Sequence, residues 1–132
     1  VHLTALHGAS LLLAPITTTA ALNGEAEGAG WSLATRFYAM IYGLPMLVAN
    51  RVGRDGDVDY SGGSRILGPR GEEMASAGST EPELIVADID FADVRRARFD
   101  LPTVRDSNLD LIHREIERLQ PIIGIPDVSR RL

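Results

Sequence analysis

The chain has 132 residues, 45% of them apolar and 23% charged, with a formal net charge of −5, a composition that fits one globular domain and not a disordered chain. That charge offers no bulk attraction to nucleic acid or anionic lipid, no apolar run reaches the roughly 18 residues of a spanning helix, and no signal-peptide pattern opens the chain; the expectation is no nucleic-acid partner, no membrane and a cytoplasmic location. Cysteine and lysine are both absent, all thirteen basic residues being arginine, so thiol nucleophiles, thiolate metal sites, disulfides and catalytic or P-loop lysines are excluded on these residues.

In chain order, Val1 to His7 has helix-like spacing and Gly8 ends it. Val1 opens the chain inside that segment without an initiator methionine, as a cut end would. Ala9 to Pro15 reads as a strand, with Leu11, Leu12 and Leu13 apolar on both faces as in a covered sheet. Thr17 to Thr19 and the Gly-rich segment from Asn23 to Gly30, with Glu25 and Glu27, read as loop. Trp31 to Gly43 predicts a helix in which Leu33, Phe37, Met40 and Ile41 form one apolar stripe. Ser32 is its candidate cap, Gly43 its C′ residue, and Pro45 forbids its continuation. Phe37, Tyr38 and Tyr42 are expected to pack against the sheet or a partner helix.

Leu44 to Ala49 predicts a buried strand, followed by a turn-rich loop through Arg54, Asp55, Gly56 and Asp57. That loop lacks the glutamate a calcium loop requires. Ser64 to Leu67 and Glu72 to Ala77 predict a hairpin around the turn Gly68-Pro69-Arg70-Gly71. After a polar connection, Leu84 to Ile89 reads as a strand with Ile85, Ala87 and Ile89 on one face. Asp90 is placed to cap a short helix from Phe91 to Arg98, with Asp93 also favourable near its start. A last helix runs from about Asn108 to Leu119, its apolar side formed by Leu109, Ile112, Ile116 and Leu119. Pro121 to Leu132 reads as an extended tail.

The order predicts an α/β or α+β domain with a mixed sheet covered by helices on one side. Its other sheet face is left apolar and in need of a second layer. The three histidines, His2, His7 and His113, have no metal-ligand spacing, and no cofactor is implied. The stretch from Leu44 to Ser64 stands out because a strand ending in polar Asn50 and Arg51 leads into Tyr60-Ser61-Gly62-Gly63-Ser64. Open sheets often gather binding groups at such a place.

Several segments resemble the carbon–nitrogen hydrolase (nitrilase) superfamily. Trp31, Arg36 and Ala39, followed by Ala49-Asn50-Arg51-Val52-Gly53, are similar to its Trp-led helix, strand and Asn-Arg-x-Gly turn. Tyr60-x-Gly62-Gly63-Ser64 resembles its aromatic-x-Gly-Gly-Ser segment. Leu67 to Glu72 resembles its Asp-Pro-x-Gly-Glu hairpin, with Gly68 in place of the acid. Leu3 to Pro15 and Val86 to Arg98 resemble further core elements, so the resemblance runs to about Asp106. In the late part of the Trp31 helix, Ile41-Tyr42 departs from the Glu-Asn of many members.

The resemblance implies the C-terminal half of an αββα four-layer sandwich over residues 1–106, with residues 107–132 as a helix and tail available for oligomer contact. It implies hydrolysis of a small amide, nitrile or N-carbamoyl compound by a Glu-Lys-Cys triad. All three triad residues would lie upstream of Val1, so this chain alone is expected to be inactive and to need the missing N-terminal half. The resemblance also implies a homo-oligomer, with Phe99 to Leu132 as candidate interface. Candidate substrate-binding residues are Thr17, Asn50, Arg51, Tyr60 and Ser64. Each has a structural alternative: Asn50 satisfying loop backbone, Arg51 pairing with Asp55 or Asp57, and the Gly-Gly pair existing for positive φ. The alternative to an enzyme fragment is a non-catalytic binding or assembly module of the same ancestry.

Overall fold

The computed structural model describes residues 1–19 and 25–123. Its centre is a four-stranded sheet in the order β1-β2-β5-β6, with a separate two-stranded β3-β4 ribbon. Helix α1 (His2–Leu6) leads into β1 (Leu12–Ile16), and α2 (Glu25–Tyr42) leads into β2 (Met46–Asn50). β1 and β2 are parallel, with Leu12 opposite Met46 and Ile16 opposite Asn50. β5 (Arg65–Leu67) runs antiparallel to β2, and β6 (Glu73–Ser76) antiparallel to β5. The sheet is therefore mixed, as the sequence predicts.

The core sits between α2 and one face of this sheet. Ala39 and Leu67 are fully buried, Met46 nearly so, and Leu12 packs against them. The predicted apolar stripe of this helix is not the face it turns to the sheet. Leu33 is 71% exposed, and Phe37 and Met40 are also exposed, while Thr35 and Ala39 are buried. Small side chains let the helix approach the strands closely, and the 3.6-residue period marks a face without saying which layer it meets. Tyr38 stacks on Tyr42 at 6.3 Å, Phe37 meets Tyr38 edge-on at 5.8 Å, and the His2 ring lies 5.5 Å from Tyr42. These aromatics therefore pack along the helix and onto α1.

The helix also starts earlier than predicted. Glu25 to Gly30, read as loop, is its first part; Ala and Glu favour a helix, and this outweighs two glycines. Asn23 and Gly24 lie outside the described residues. Ser32 consequently sits inside the helix and does not cap it. Gly43 ends it with φ +51, and Leu44 N–H donates to Ala39 O at 2.9 Å.

β1 begins three residues later than its predicted start at Ala9, and its side chains alternate. Leu12 packs on the core while Leu13 is 65% exposed, on the sheet face that the sequence leaves apolar and in need of a second layer. The turn-rich loop is a hairpin: β3 (Val52–Asp55) and β4 (Val58–Ser61) pair antiparallel across Gly56-Asp57. Two central residues starting with glycine suit a tight hairpin turn.

Leu84 to Ile89 is not a strand in this structure. It keeps the predicted alternation, with Ile85, Ala87 and Ile89 half-buried and the intervening residues exposed, but it has no ladder partner among the described residues. Asp90 caps α3 (Phe91–Asp100) by accepting from Ala92 N–H at 2.7 Å. Arg98 ties α3 back to the sheet layer, donating to Tyr42 O at 3.2 Å and to Ala9 O. Asn108 accepts from Leu111 N–H at 3.0 Å at the start of α4 (Leu109–Ile123). This helix runs through Pro121 to Ile123, taking in the first three residues of the predicted tail; residues 124–132 lie outside the described residues.

Candidate functional site

The carboxyl ends of the two parallel strands meet at the Ile16–Asn50 pair, and a cleft of about 300 Å³ opens there. Open α/β sheets place ligands outside the carboxyl ends of their parallel strands. Ile16 and Val48 form part of its floor, Trp31, Ser32 and Thr35 come from α2, and Thr18, Asn50, Ser61 and Arg65 supply polar groups. The helix contributes because its close packing on the sheet brings the Trp31 turn over the strand ends.

Asn50 organises the cleft. Its Nδ2 donates to Thr18 Oγ1 and to Gly62 O, each at 2.6 Å, with a longer approach to Ser61 Oγ at 3.3 Å. Its Oδ1 accepts from Thr18 N–H at 3.1 Å and from Arg51 N–H at 3.0 Å. One side-chain amide thus joins three chain segments, from residues 18, 51 and 62. Removing it would strand several backbone groups, and unpaired buried polar groups are costly. Gly62 is held at φ +58, and a Cβ there would lie 2.6 Å from Val52 Cγ1 and 2.7 Å from Ser79 O, so only glycine fits.

The other predicted site residues are placed differently. Ser64 stands one layer behind Asn50, accepting from Asn50 N–H at 2.9 Å and donating to Asn50 O at 3.2 Å. Arg51 is turned outward, pairing with Asp55 at 3.0 Å and lying over the Tyr60 ring at 4.1 Å. Tyr60 supports that guanidinium and sits opposite Gly53 in the β3-β4 ribbon. Thr17 is exposed, and its neighbour Thr18 enters the network instead. Of the five, Asn50 alone lines the cleft.

Ser61 and Arg65 are not among the candidate site residues of the sequence, and Thr18 stands there only as one hydroxyl of the Thr17–Thr19 loop past a strand end. Thr18 Oγ1 and Ser61 Oγ are 2.5 Å apart, and Ser61 N–H donates to Thr18 O at 3.0 Å. Forty-three residues separate them, so no local spacing announces the pair. Arg65 Nε–H donates to Gly63 O at 3.3 Å, and its terminal NH1 reaches Ser32 Oγ. Alternation along β5 was the one available signal, since it places Arg65 and Leu67 on the α2 side.

The cleft can bind and orient but has no reactive pair of its own. Among the described residues lining it there is no histidine, carboxylate, cysteine or lysine. The Thr18 and Ser61 hydroxyls bond to each other, to the Asn50 amide and to backbone, no base lines the cleft among the described residues, and an unactivated hydroxyl is a weak nucleophile. No group of carboxylates and histidines among the described residues could hold a metal ion, and no described helix is long and apolar enough to cross a membrane. The shifted carboxylates lie elsewhere. Glu73 is held below its ordinary value by the Ser76 hydroxyl, then by Arg36, with a lesser pull from Arg65. Asp93 is lowered chiefly by Arg70, and Asp90 chiefly by the Ala92 N–H it caps.

Fold and cleft together define an α/β protein that gathers binding groups at the ends of parallel strands and lacks a nucleophile among them. The carbon-nitrogen hydrolase family model matches residues 1–99, and the chain belongs to that family. It is 28% identical over 121 residues to an N-carbamoylputrescine amidase of Solanum tuberosum, covering 81% of this chain and 39% of that protein. A carbon-nitrogen hydrolase from Helicobacter pylori G27 superposes with TM-score 0.69 at 29% identity, covering 80% of this chain and 40% of its own. A mutant amidase from Nesterenkonia sp. AN1, with the acetamide moiety of fluoroacetamide added covalently at its active site cysteine, superposes with TM-score 0.67 at 27% identity over 86% of this chain and 37% of its own. The chain therefore spans about two fifths of the length of these relatives, and its mixed α/β fold is part of theirs.

Proposed function

We propose that this chain is the C-terminal portion of a carbon–nitrogen hydrolase that cleaves a non-peptide C–N bond in a small amide, nitrile or N-carbamoyl compound. The observation that carries the reading is the cleft itself, a polar, strand-end pocket without a nucleophile in a chain that has neither cysteine nor lysine. The cysteine that attacks the electrophilic carbon, the carboxylate that relays protons and the lysine that steadies the oxyanion belong, in this reading, to sequence upstream of Val1. The covalently modified cysteine of the Nesterenkonia amidase supports that chemistry for the family. Asn50, with Thr18 and Ser61, shapes the wall beside the triad, and Ser64 steadies Asn50 from behind. Arg51 and Tyr60 hold the outer ribbon, and Thr17 is exposed beside Thr18. A cytoplasmic homo-oligomer, using Phe99 to Leu132 in part, completes the proposal.

The test is ammonia release from an aliphatic amide, a nitrile and an N-carbamoyl amine. The product of the complete reading frame is assayed beside the 132-residue chain. Turnover by the complete protein and none by the chain alone is expected. A complete protein inert on all three compounds, or a chain active by itself, contradicts the proposal, and inertness favours a non-catalytic binding or assembly module.

A further inference from the structure

Arg65 is the only ionisable side chain among the described residues lining the cleft. It is half-buried on β5, opposite Val48 of β2, so its charge faces the pocket from the sheet floor. Two of its N–H groups go to neutral acceptors, Gly63 O and Ser32 Oγ. A guanidinium carries five donors in a planar fork, which leaves three that meet no acceptor among the described residues.

Among the described residues, Arg36, Arg51, Arg54, Arg70, Arg96, Arg105 and Arg118 each pair with a carboxylate. Arg95, Arg98 and Arg114 have no carboxylate partner there either, but none of them lines this cleft. Glu73, the acid whose titration Arg65 influences, is already bonded to Arg36 at 3.1 Å and does not bond Arg65. Arg65 thus brings a positive charge into a partly desolvated cleft with hydroxyls beside it, where a charge without a counter-charge is costly.

We infer that Arg65 is a specificity-determining residue and that the cleft takes a small ligand carrying a carboxylate at the end remote from the reacting carbon. A carboxylate matches the guanidinium fork in two parallel hydrogen bonds. Ser32 and Thr35 line the same cleft, and its volume of about 300 Å³ lies at the small end for ligand pockets, which suits a small acid and not a peptide. The inference rests on the hydrolase reading and narrows it to ω-carboxy amides or N-carbamoyl amino acids. The same charge repels an amine at that end, so the chain departs from what a diamine-derived substrate, as named for the Solanum relative, would need.

Two measurements on the complete protein separate this inference from the reading beneath it. The first compares kcat/KM for 5-amino-5-oxopentanoate, for the neutral pentanamide and for the cationic 4-aminobutanamide. The order expected is anionic, then neutral, then cationic, and Arg65→Met should cut the anionic-to-neutral ratio about 10- to 100-fold, the worth of a charge-assisted pair. Arg65→Lys should restore part of the ratio, because it keeps the charge without the fork.

The second measurement is calorimetric titration with glutarate, which needs no turnover. Binding by the parent and its loss in Arg65→Met, with circular dichroism unchanged, supports the inference even if no amide is hydrolysed. Turnover of pentanamide with no preference for the anionic amide overturns the inference and leaves the hydrolase reading intact. Absence of glutarate binding to the parent overturns it too. If Arg65→Met fails to fold, Arg65→Lys and the parent's own substrate order decide the matter.

Discussion

Two apolar stretches of similar composition meet opposite fates in this molecule. Leu44 to Val48 enters the sheet between β1 and β5, and its Leu44, Met46 and Val48 are buried. Leu84 to Ile89 has the same aliphatic character and a clean alternation, yet Leu84 is 88% and Val86 78% exposed, with no strand on either side among the described residues. Apolar sequence and extended backbone are common to both; neighbours are not. A strand is completed by its partners, and the second stretch presents the unpaired row of backbone groups that sheets ordinarily cover. On the reading proposed above, the upstream half of the enzyme supplies that partner, as it supplies the nucleophile.

The comparison can be broken first at the core. In the 132-residue chain, Leu67→Ala removes a fully buried side chain that touches Ala39 and Met46, and should cost about 2–5 kcal/mol. Leu84→Ala should change stability by less than about 0.5 kcal/mol. Urea unfolding of both variants checks this, and equal losses would mean that the second stretch is packed after all.

A smaller contrast separates Asn50 from its neighbour Arg51. Asn50→Ala removes the side-chain partner of Gly62 O and of the Arg51 N–H, and should cost about 2 kcal/mol. Arg51→Met loses an exposed pair with Asp55 and a cation–π contact, worth under about 1 kcal/mol. Thermal unfolding monitored by circular dichroism ranks the two, and the reverse order would remove Asn50 from the centre of the site.

The smallest effect expected is on pH. Asp90 and Asp93 have folded values below the ordinary 3.8, so the folded state binds protons less readily than the unfolded one. Their contribution is therefore present above pH 3.8 and is lost as pH falls through the lower folded values. Denaturant midpoints at pH 6 and pH 3 should show a loss in the parent that is reduced in Asp93→Asn. An identical acid loss in both proteins would exclude the Arg70–Asp93 contact as its source.

Much of the fold was legible in the sequence because local chemistry announced it. Gly43 and Pro45 stop α2, Gly68 to Gly71 turn the β5-β6 hairpin, and Asp90 caps α3. What was missed depends on the third dimension. The period of α2 revealed a stripe, but close packing put Thr35 and Ala39 against the sheet and left Leu33 outside. The Val52–Ser61 ribbon hid in charged residues with no apolar face to betray it. α4 runs on through Pro121, although proline ordinarily breaks a helix.

The site divides along the same line. Asn50 and Ser64 were visible as polar residues at a strand end and a Gly-Gly entry. Thr18, Ser61 and Arg65 join them only through the β1-β2-β5 topology, which sequence spacing does not encode.

This chain holds one set of paired strands and one strand-like segment without a partner among the described residues. Amide hydrogen exchange measured on the 132-residue chain and on the complete protein tests this contrast most directly. Residues 46–50 should be protected in both, while residues 84–89 should exchange freely in the chain and slow at least tenfold in the complete protein, the factor that about 1.4 kcal/mol of added local stability brings. Strong protection of residues 84–89 in the chain alone, or none in the complete protein, would contradict the account.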